Sequence, residues 1–599
     1  MSTRYFYGVL CAGICFAFTG LNATAQGPVQ VPVSDKCASL MQLNVPNLTI
    51  SSATALDAIP SFGGGPGGGP GGAGPGGGGP GGGNRPGGQG GPGGGGPGGG
   101  NAQAGAKVPF CRVIGFMTPT SDSHIGFEVW LPVAASWNHK LEGVGNGGFS
   151  GSVNRNAMVP GLTRGYATMA TDYGHLAPTE DISWAFGHPE KAIDYSYRAE
   201  HLTTLAAKQI VDAYYGSNPA HSFYVGCSAG GIQGIQEFLR YPTDYDGYIV
   251  GDGTPAHMNQ ELGAFWNTLA ASLSDEANAF TPDQINVIHD SVLKQCIAKA
   301  GAVSTDQFLS NPQACKFDTK ALLCTAGQDA ATCLNAAQIA ALDKIYSGPV
   351  DTVTHKPILA GVTPGGEAIW RNYFSGKKNP VGEERPWAGF MEYIAYADQD
   401  YLKSEKYLTF NWGTDLAKID SVKLSGETLD SIFNAKSRDM DPVKAEGGKV
   451  IQYHGWDDSN IPPMEAVNLF NDVVADQAKR HKLSARQAQD ETEQFYRLFL
   501  VPGMGHCSGG AGPNSFGSGG TANPNADPKS DMLSALEQWV EKGVAPESFV
   551  ASHTDAKTRA VDMTRPICAY PLVPTYKGTG STNEASNFTC AAPPANAAR

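Results

Sequence analysis

The feature that most constrains the fold of this chain is a Gly-x-Ser-x-Gly sequence at residues 226–230, with Ser228 at its centre. An apolar run over 223–225 precedes it, and a helix-like pattern over 232–240 follows it. A strand, a sharp turn and a helix in this order place the serine on strained backbone, with its hydroxyl exposed above a parallel sheet. The pattern therefore predicts a nucleophile elbow. A chain with 77 glycines also meets such a pattern by chance, so the rest of the sequence has to decide.

The segments around the elbow alternate between short apolar runs and helical patterns. The strand-like runs cover 110–117, 125–131, 140–144, 167–170 and 248–250. Apolar residues at helical spacing predict a helix over 202–214, which Gly216 and Pro219 end. This alternation is typical of a mostly parallel sheet covered by helices on both faces. We therefore expect an α/β fold with the elbow at the end of an inner strand.

The alternation returns near the C-terminus, where two further strand-like runs each lead into a loop with polar side chains. These runs cover 449–453 and 495–501. The first leads into Asp457 and Asp458, and the second leads into His506. The chain order Ser, Asp, His is that of α/β-hydrolases, in which the histidine takes the serine proton and the aspartate orients the imidazole. Spacing alone does not separate Asp457 from Asp458.

Two cysteines flank the proposed nucleophile and base. Cys227 directly precedes Ser228, and Cys507 directly follows His506. If Ser228 and His506 are within hydrogen-bond reach, their neighbours come close enough for a disulfide, which requires Cα atoms within roughly 7 Å. Such a bridge would lock the nucleophile to its base.

A glycine-rich loop at 145–151 follows one of the early strand-like runs. Glycines there allow backbone N–H groups to approach a ligand closely, as an oxyanion hole requires. An ordinary turn is the simpler interpretation when these residues are considered alone.

The sequence divides into six segments. We assign 1–25 to a signal peptide, 26–62 to an N-terminal segment, 63–106 to a disordered Gly/Pro-rich tract, 107–255 to the first part of an α/β core, 256–446 to an inserted lid, and 447–599 to the second part of the core. The lid is expected to be mainly helical and loop-rich, because the alternation is lost there. Its aromatic residues could wall a pocket for a flat substrate or form the lid's own core. They include Trp370, Tyr373, Phe374, Trp387, Phe390 and Tyr393, of which Trp387 and Phe390 are our candidates for substrate binding.

The N-terminus and the cysteines both predict export. Residues 1–25 have Arg4 as their only charge, an apolar stretch too short to span a bilayer, and Ala23-Thr24-Ala25 before Gln26. Removing this segment leaves ten cysteines, an even number that suggests five disulfides in an oxidising compartment. Zinc ligation is the weaker interpretation, because no pair has the spacing of a zinc knuckle. We expect a soluble protein that is secreted or periplasmic.

Composition excludes some partners. The tract over 63–106 is almost wholly Gly and Pro without a strict Gly-X-Y period, so it is neither collagen nor a packed core. A flexible connector is our interpretation, and a structural or adhesive role is the alternative. The net charge of -14 argues against nucleic acid or an anionic membrane as partner, and no later segment is apolar for long enough to insert into a membrane.

The motifs at 226–230, 453–458 and 502–507 together resemble the tannase and feruloyl esterase family of secreted α/β-hydrolases. That family includes the hydrolase of mono(2-hydroxyethyl) terephthalate. The resemblance runs from about Cys37 to the C-terminus, apart from the Gly/Pro-rich tract. It implies an α/β-hydrolase fold with a large inserted lid and a disulfide-rich periphery.

The resemblance also implies site residues. It implies a triad of Ser228, Asp458 and His506, an oxyanion hole formed by the N–H groups of Gly148 and Ala229, and His454 as a residue that lines the pocket. The bridges it implies are Cys227 to Cys507, Cys37 to Cys111, Cys296 to Cys315, Cys324 to Cys333, and Cys568 to Cys590.

One departure from the family concerns calcium. Many members carry a lid calcium site built from repeated aspartates just after the first lid cysteine, whereas residues 297–306 of this chain contain the single carboxylate Asp306. Calcium prefers several oxygen ligands, so we expect that site to be lost and no cofactor to be needed. Members that use terephthalate esters bind the distal carboxylate with a lid arginine, and neither Arg371 nor Arg385 matches it clearly.

The sequence thus predicts a secreted serine carboxylic-ester hydrolase that acts through an acyl-enzyme on small aromatic-acid esters, including esters released from plant polymers. Feruloyl or other hydroxycinnamoyl esters are the first expectation. Gallate esters and, less strongly, terephthalate monoesters are the alternatives. A catalytically inactive binding protein is the alternative from another class.

Overall fold

The computed structural model of the protein describes residues 33–62, 106–275, 278–372 and 386–593. The predicted signal peptide and residues 63–105 of the Gly/Pro-rich tract lie outside the described residues, as do Tyr373, Phe374 and Arg385 and the side chain of Arg371. Within the described ranges, a mixed sheet of nine strands carries the rest of the chain.

The strands fall into one large sheet and three hairpins. The large sheet contains β1 (Leu48–Leu56), β2 (Phe110–Met117), β3 (Ile125–Pro132), β4 (Lys140–Val144), β5 (Ala167–Thr171), β6 (His221–Cys227), β7 (Gly247–Gly251), β10 (Lys449–Gly455) and β11 (Tyr496–Val501). The hairpins pair β8 (Lys423–Leu424) with β9 (Glu427–Thr428), β12 (Ser548–Thr554) with β13 (Val561–Cys568), and β14 (Val573–Tyr576) with β15 (Phe588–Ala591).

The order of the large sheet is β1-β2-β3-β5-β4-β6-β7-β10-β11. The pairs from β1 to β5 are antiparallel, and those from β5 to β11 are parallel. Strand β6 therefore lies inside the parallel part, between β4 and β7. Parallel strands place their carboxyl ends at one edge, so the loops after β6, β7, β10 and β11 meet there.

Helices cover the sheet and build the segment between its two halves. The α-helices are α1 (Val33–Ser39), α2 (Arg155–Thr163), α3 (Pro189–Ile193), α4 (Ala199–Tyr215), α5 (Ala229–Arg240), α6 (His257–Thr268), α7 (Pro282–Ala300), α8 (Ala336–Ser347), α9 (Pro386–Gly389), α10 (Thr414–Ser421), α11 (Leu429–Phe433), α12 (Asp441–Ala445), α13 (Met464–His481), α14 (Ala485–Thr492) and α15 (Met532–Lys542). Helices α3, α6 and α9 continue as π-helical turns over Asp194–Arg198, Leu269–Leu273 and Phe390–Ala395. Short 3-10 turns occupy Leu40–Gln42, Ser183–Ala185, Pro312–Ala314, Thr319–Leu322, Ala330–Thr332, Glu367–Asn372, Lys406–Thr409 and Ala585–Asn587.

Burial explains why these sequences form these elements. Every residue of β5 and β7 is buried, as are six of the seven residues of β10. Central parallel strands are covered on both faces, so they consist of continuous apolar runs. Between β7 and β10 the described chain consists of helices and loops with the short β8–β9 hairpin, and part of it has its own core around Ile288, Leu342 and Trp370.

Five disulfides hold the structure together. They join Cys37 to Cys111, Cys227 to Cys507, Cys296 to Cys315, Cys324 to Cys333, and Cys568 to Cys590. The ten cysteines pair as the family resemblance implies. The bridge from Cys37 ties the N-terminal segment to β2, beside the edge strand β1. Over the same described ranges, the helices all fall short of the length and apolar character that a membrane span requires.

Candidate active site

Ser228 occupies the sharp turn between β6 and α5. Its φ of 64° lies in the left-handed region, which a residue with a side chain adopts at a cost in backbone strain. Close backbone packing explains the glycines on either side. A Cβ atom on Gly226 would lie 2.5 Å from the carbonyl oxygen of Gly230, and one on Gly231 would lie 2.1 Å from that of Gly251. The turn is therefore a nucleophile elbow.

Ser228, His506 and Asp458 form a continuous hydrogen-bonded chain. Nε2 of His506 lies 2.7 Å from Oγ of Ser228, and Nδ1 lies 2.7 Å from Oδ2 of Asp458. Because a carboxylate only accepts, Nδ1 carries the proton and Nε2 is left free to accept one from the serine. Asp458 follows β10 and His506 follows β11, as the sheet topology requires.

The structure separates the two adjacent aspartates. Asp458 is fully buried against His506, whereas Asp457 packs against the lid, where a Cβ atom on Gly366 would lie 2.8 Å from its Cα. Burial, together with the charge of Glu367, raises the pKa of Asp457 well above its ordinary value. Asp457 therefore takes up a proton more readily than Asp458, whose pKa is lowered.

The electrostatics of the triad follow from its burial and its partners. Burial alone would raise the pKa of Asp458, but the charges and hydrogen bonds of His506 and His454 hold it below its ordinary value. Burial would lower the pKa of His506, but the charge and hydrogen bond of Asp458 raise it above its ordinary value. The aspartate is thus a fixed anion, and the imidazole is the group that titrates.

Two backbone N–H groups near the elbow, those of Gly148 and Ala229, make no hydrogen bond in the described part of the chain. The loop that carries Gly148 is held by neighbours: Asn146 accepts from the N–H of Gly230 at 2.7 Å, and Tyr195 donates to the carbonyl of Gly148 at 2.8 Å. Two free donors on rigid backbone are what an oxyanion hole needs.

The Gly148 backbone also explains the glycine at that position. Its φ is 52°, and a Cβ atom there would lie 2.2 Å from Cγ2 of Thr179. The next residue, Phe149, donates its N–H to the carbonyl of Thr179 at 2.9 Å. The segment that follows β5 therefore packs against the loop of Gly148 and fixes its position.

The disulfide between Cys227 and Cys507 joins the elbow to the loop of the base. Its Cα atoms lie 6.0 Å apart. Cys507 has a φ of 61°, and its N–H donates to Oδ2 of Asp252 at 2.8 Å. The bridge and this hydrogen bond both hold Cys507, the residue directly after His506.

The predicted pocket residues lie elsewhere. His454 is fully buried and contacts Asp458, so it lies beneath the triad and does not line an open pocket. Trp387 and Phe390 are 2% and 0% exposed and pack against the rings of Phe265 and Phe433. Both aromatic residues therefore belong to the core between lid and sheet, which is the other role that the sequence left open.

The sequence analysis did not predict two polar residues that lie near His506. Asp252 follows β7 and accepts from the N–H groups of Gly455 and Cys507, so it links the loops of the acid and the base. Its position directly after an apolar strand was the signal that could have identified it. The Nδ2 atom of Asn460 lies 3.3 Å from Nε2 of His506, and no pattern in the sequence indicated that contact.

Some clusters in the described ranges contain metal-ligating residue types. Asp252, His454 and Asp458 form one, and His201, Glu237 and Asp244 form another. Asp306, the single carboxylate at the expected lid calcium position, forms an ion pair with Arg565 at 3.0 Å. Its charge is therefore already balanced by a guanidinium.

The sheet topology, the elbow and the Ser-His-Asp arrangement define an α/β-hydrolase with a large inserted lid. The sequence model of the family described as "Tannase and feruloyl esterase" matches residues 111–591. The chain belongs to this family of carboxylic ester hydrolases.

Relatives of known sequence agree with this membership. An uncharacterized esterase of Xanthomonas campestris pv. campestris is 33% identical over 574 residues, which cover 94% of this chain and 92% of that protein. Feruloyl esterase B of Aspergillus niger is 29% identical over 495 residues, which cover 82% of this chain and 88% of that enzyme.

Solved structures share the fold. Feruloyl esterase B from Aspergillus oryzae has a TM-score of 0.76 at 25% identity, and the match covers 93% of this chain and 100% of that one. The tannin acyl hydrolase from Aspergillus niger has a TM-score of 0.68 at 18% identity, covering 94% and 96%.

Proposed function

We propose that the protein is an exported serine esterase that hydrolyses esters of aromatic acids, with feruloyl and other hydroxycinnamoyl esters as its preferred substrates. The observation that carries the proposal is the hydrogen-bonded chain from Ser228 through His506 to Asp458, beside the unused N–H groups of Gly148 and Ala229. This arrangement holds each group that acyl transfer requires.

The proposed mechanism has two halves. In the first, His506 takes the proton of Ser228 while Oγ attacks the ester carbonyl, and Gly148 and Ala229 donate to the oxyanion. His506 then protonates the leaving alcohol, and the acyl group remains on Oγ. In the second half, His506 takes a proton from water, which attacks the acyl-enzyme, and the acid leaves as Ser228 regains its proton. No step in this scheme requires a metal or a cofactor.

The proposed substrate is inferred from the related proteins. Relatives named feruloyl esterase B align over most of the chain, and the family name includes both feruloyl esterases and tannases. Gallate esters are therefore the second candidate. Terephthalate monoesters are a lesser one, because a partner for their distal carboxylate would have to come from Arg371 or Arg385, whose side chains lie outside the described residues.

Export is supported by two independent features. Residues 1–25 have the composition of a signal peptide, and the five disulfides require an oxidising compartment to form and persist. The periplasm and the medium both meet that requirement.

The test is hydrolysis of methyl ferulate, methyl gallate and a p-nitrophenyl ester by the purified wild type, Ser228→Ala and Ser222→Ala. Ser222 is buried on the same strand, so it controls for the loss of a hydroxyl near the elbow. We expect wild type and Ser222→Ala to cleave methyl ferulate fastest and Ser228→Ala to cleave none. Hydrolysis that survives in Ser228→Ala, or a wild type inert on all three esters, would refute the proposal in favour of a binding role.

A further inference from the structure

A second imidazole lies directly beneath the triad. Nε2 of His454 is 2.9 Å from the carbonyl oxygen of Ile461, 3.3 Å from Oδ2 of Asp458 and 3.6 Å from Oδ1 of Asp252. All three neighbours are acceptors, so Nε2 carries a proton. Within the described residues, Nδ1 is buried without a hydrogen-bond partner, so the two carboxylates near Nε2 are the groups that favour a charged ring. The same oxygen of Asp458 accepts from Nδ1 of His506 at 2.7 Å. One carboxylate oxygen is thus shared by two imidazoles.

Asp252 is the carboxylate on the far side of this second imidazole. It is fully buried, with a φ of 42°, and accepts from the N–H of Gly455 at 2.7 Å and from that of Cys507 at 2.8 Å. Backbone donors favour the charged form of a carboxyl group. Burial raises the pKa of Asp252 to about 6, and the neighbouring His454 opposes that rise. The two backbone donors at its oxygens nevertheless favour the carboxylate form of Asp252.

Asp458 is an anion for similar reasons. Its Oδ1 accepts from the N–H groups of Asn460 at 2.8 Å and Ile461 at 3.0 Å. Two negative charges therefore lie on either side of His454, away from water. Burying two such charges together costs free energy unless a cation accompanies them.

The other charged groups around His454 do not supply that cation. Within the ranges that the structure describes, Asp252 and Asp458 form ion pairs with histidines and with no lysine or arginine. Glu465, at the start of α13, accepts from the N–H of Ala360 at 2.9 Å, and burial raises its pKa. Asp457 carries a carboxyl group and supplies no positive charge, and the resting triad requires a neutral His506.

We propose that His454 is a positioning residue for the triad, a buried imidazolium that balances Asp252 and donates to Asp458. The inference rests on the proposed esterase function. With His454 charged, the two carboxylates and one imidazolium of the resting cluster have a net charge of about -1. When His506 takes the proton of Ser228, a second imidazolium forms and the charges of the four side chains cancel. Without that charge, the two carboxylates hold His506 in its protonated form, which cannot act as a base.

The electrostatic environment agrees with this assignment. Burial would lower the pKa of His454, but the charges of Asp252 and Asp458 and the hydrogen bond to Asp458 raise it above its ordinary value. Loss of the imidazolium is therefore expected to raise the pKa of His506. The charge of Asp252 raises the pKa of His506, so its loss is expected to lower that pKa.

The first test compares the pH dependence of kcat/KM in His454→Gln and Asp252→Asn. Removal of a charge this close shifts a pKa by about one unit or more. We expect the acid limb to move to higher pH by that amount in His454→Gln and to lower pH in Asp252→Asn. His201→Gln is the control, because it removes an imidazole on α4 that contacts Asp244 at 2.6 Å and does not belong to the triad. Its acid limb is expected to coincide with that of wild type.

The second test is independent of activity. In wild-type protein labelled with ¹⁵N-histidine, the ring nitrogens of His454 are identified by their absence in His454→Gln or, if that variant does not fold, by their displacement in Asp252→Asn. We expect both to have imidazolium shifts at a pH above the acid limb, where His506 is neutral.

Neutral shifts for His454, or an unmoved acid limb in His454→Gln, would overturn the proposal. If the wild type hydrolysed no ester, the proposed function would fail, but the nitrogen spectrum would still decide the charge of His454.

Discussion

At the scale of single residues, the two aspartates after β10 show how neighbours in sequence acquire different chemistry. Asp458 accepts from His506 at 2.7 Å, whereas the backbone of Asp457 packs against the lid residue Gly366. The pKa of the first is lowered by its histidine partners, and the pKa of the second is raised by burial. Their position in the loop, and not their residue type, determines which one orients the base.

Substitution of each aspartate by asparagine tests this difference. Asp458→Asn is expected to lower kcat by about ten-thousand-fold, because an amide in that place favours the wrong imidazole tautomer. Asp457→Asn changes a side chain of nearly the same shape outside the hydrogen-bonded chain of Ser228, His506 and Asp458, and it is expected to keep kcat close to wild type. Stopped assays of methyl ferulate hydrolysis measure both. Equal losses in the two variants would contradict the assignment of Asp458.

The pH dependence of kcat/KM is also set by one residue. His506 must be neutral to accept the proton of Ser228, and its pKa is raised by Asp458. The pKa of His506 lies above the ordinary histidine value, and kcat/KM is expected to fall as the pH is lowered through it. At higher pH, kcat/KM is expected to reach its maximum. A pH–rate profile on a neutral ester measures this limb. A profile that stays flat well below the ordinary histidine value would contradict the role of His506.

At the scale of elements, the loop of Gly148 shows how packing prepares the site. The loop is held by Asn146, by the carbonyl of Thr179 and by the hydroxyl of Tyr195. The ring of Tyr195 also stacks on Phe149 at 4.8 Å between centroids. The orientation of the N–H of Gly148 therefore depends on contacts between residues of the protein itself.

Tyr195→Phe removes the hydroxyl and keeps the ring. It is expected to lower kcat by about tenfold, which corresponds to about 1.4 kcal/mol, with KM and thermal stability little changed. Tyr248→Phe is the matched control, since the buried hydroxyl of Tyr248 has no hydrogen-bond partner within the described chain. Steady-state kinetics and thermal unfolding of both variants provide the comparison. A Tyr195→Phe enzyme with wild-type kcat would show that the loop does not need this hydrogen bond.

Sequence patterns predicted the inner strands well and the edge poorly. Strands β2 and β4 begin and end at the predicted residues, because short apolar runs between turns have few alternatives. Strand β1 was missed. Its sequence is mostly Ser, Thr and Ala, and only Ile50 is buried, so its strand form comes from pairing with β2 and not from its own pattern.

The same contrast holds within the site. Ser228, His506 and the bridge beside them were predictable because their residue types are rare in combination and follow strand ends, whereas the choice of Asp458 over Asp457 came from the family resemblance. The environments of His454 and Trp387 were not, since burial depends on how the lid and α13 close over the sheet. Residue type alone did not indicate that His454 lies between two carboxylates.

At the scale of the whole molecule, the bridges differ in the length of chain that they close. Cys227 and Cys507 are 280 residues apart, whereas Cys324 and Cys333 are nine apart. In the chain-entropy view, a bridge stabilises more as the closed loop lengthens. The long bridge also adjoins Ser228 and His506, the proposed nucleophile and base.

Removal of each bridge by a paired Cys→Ala substitution tests this ranking. Loss of the Cys227–Cys507 bridge is expected to lower the free energy of unfolding by about 2 to 4 kcal/mol and to reduce kcat. Loss of the Cys324–Cys333 bridge is expected to cost less stability and to leave kcat near wild type. Denaturant unfolding and ester hydrolysis give the two measurements. A larger effect from the short bridge would contradict the ranking.

The long bridge also makes the catalytic part of the chain a covalent ring. Residues 227–507, including the whole inserted lid and its two local bridges, form a closed circuit to which the remaining chain is attached as two tails. A single cut anywhere in that circuit, even within the lid, leaves the nucleophile and its base on one covalent molecule. Nicked protein would therefore migrate as one band until it is reduced, and it would separate into fragments only when the bridge that adjoins the catalytic pair opens.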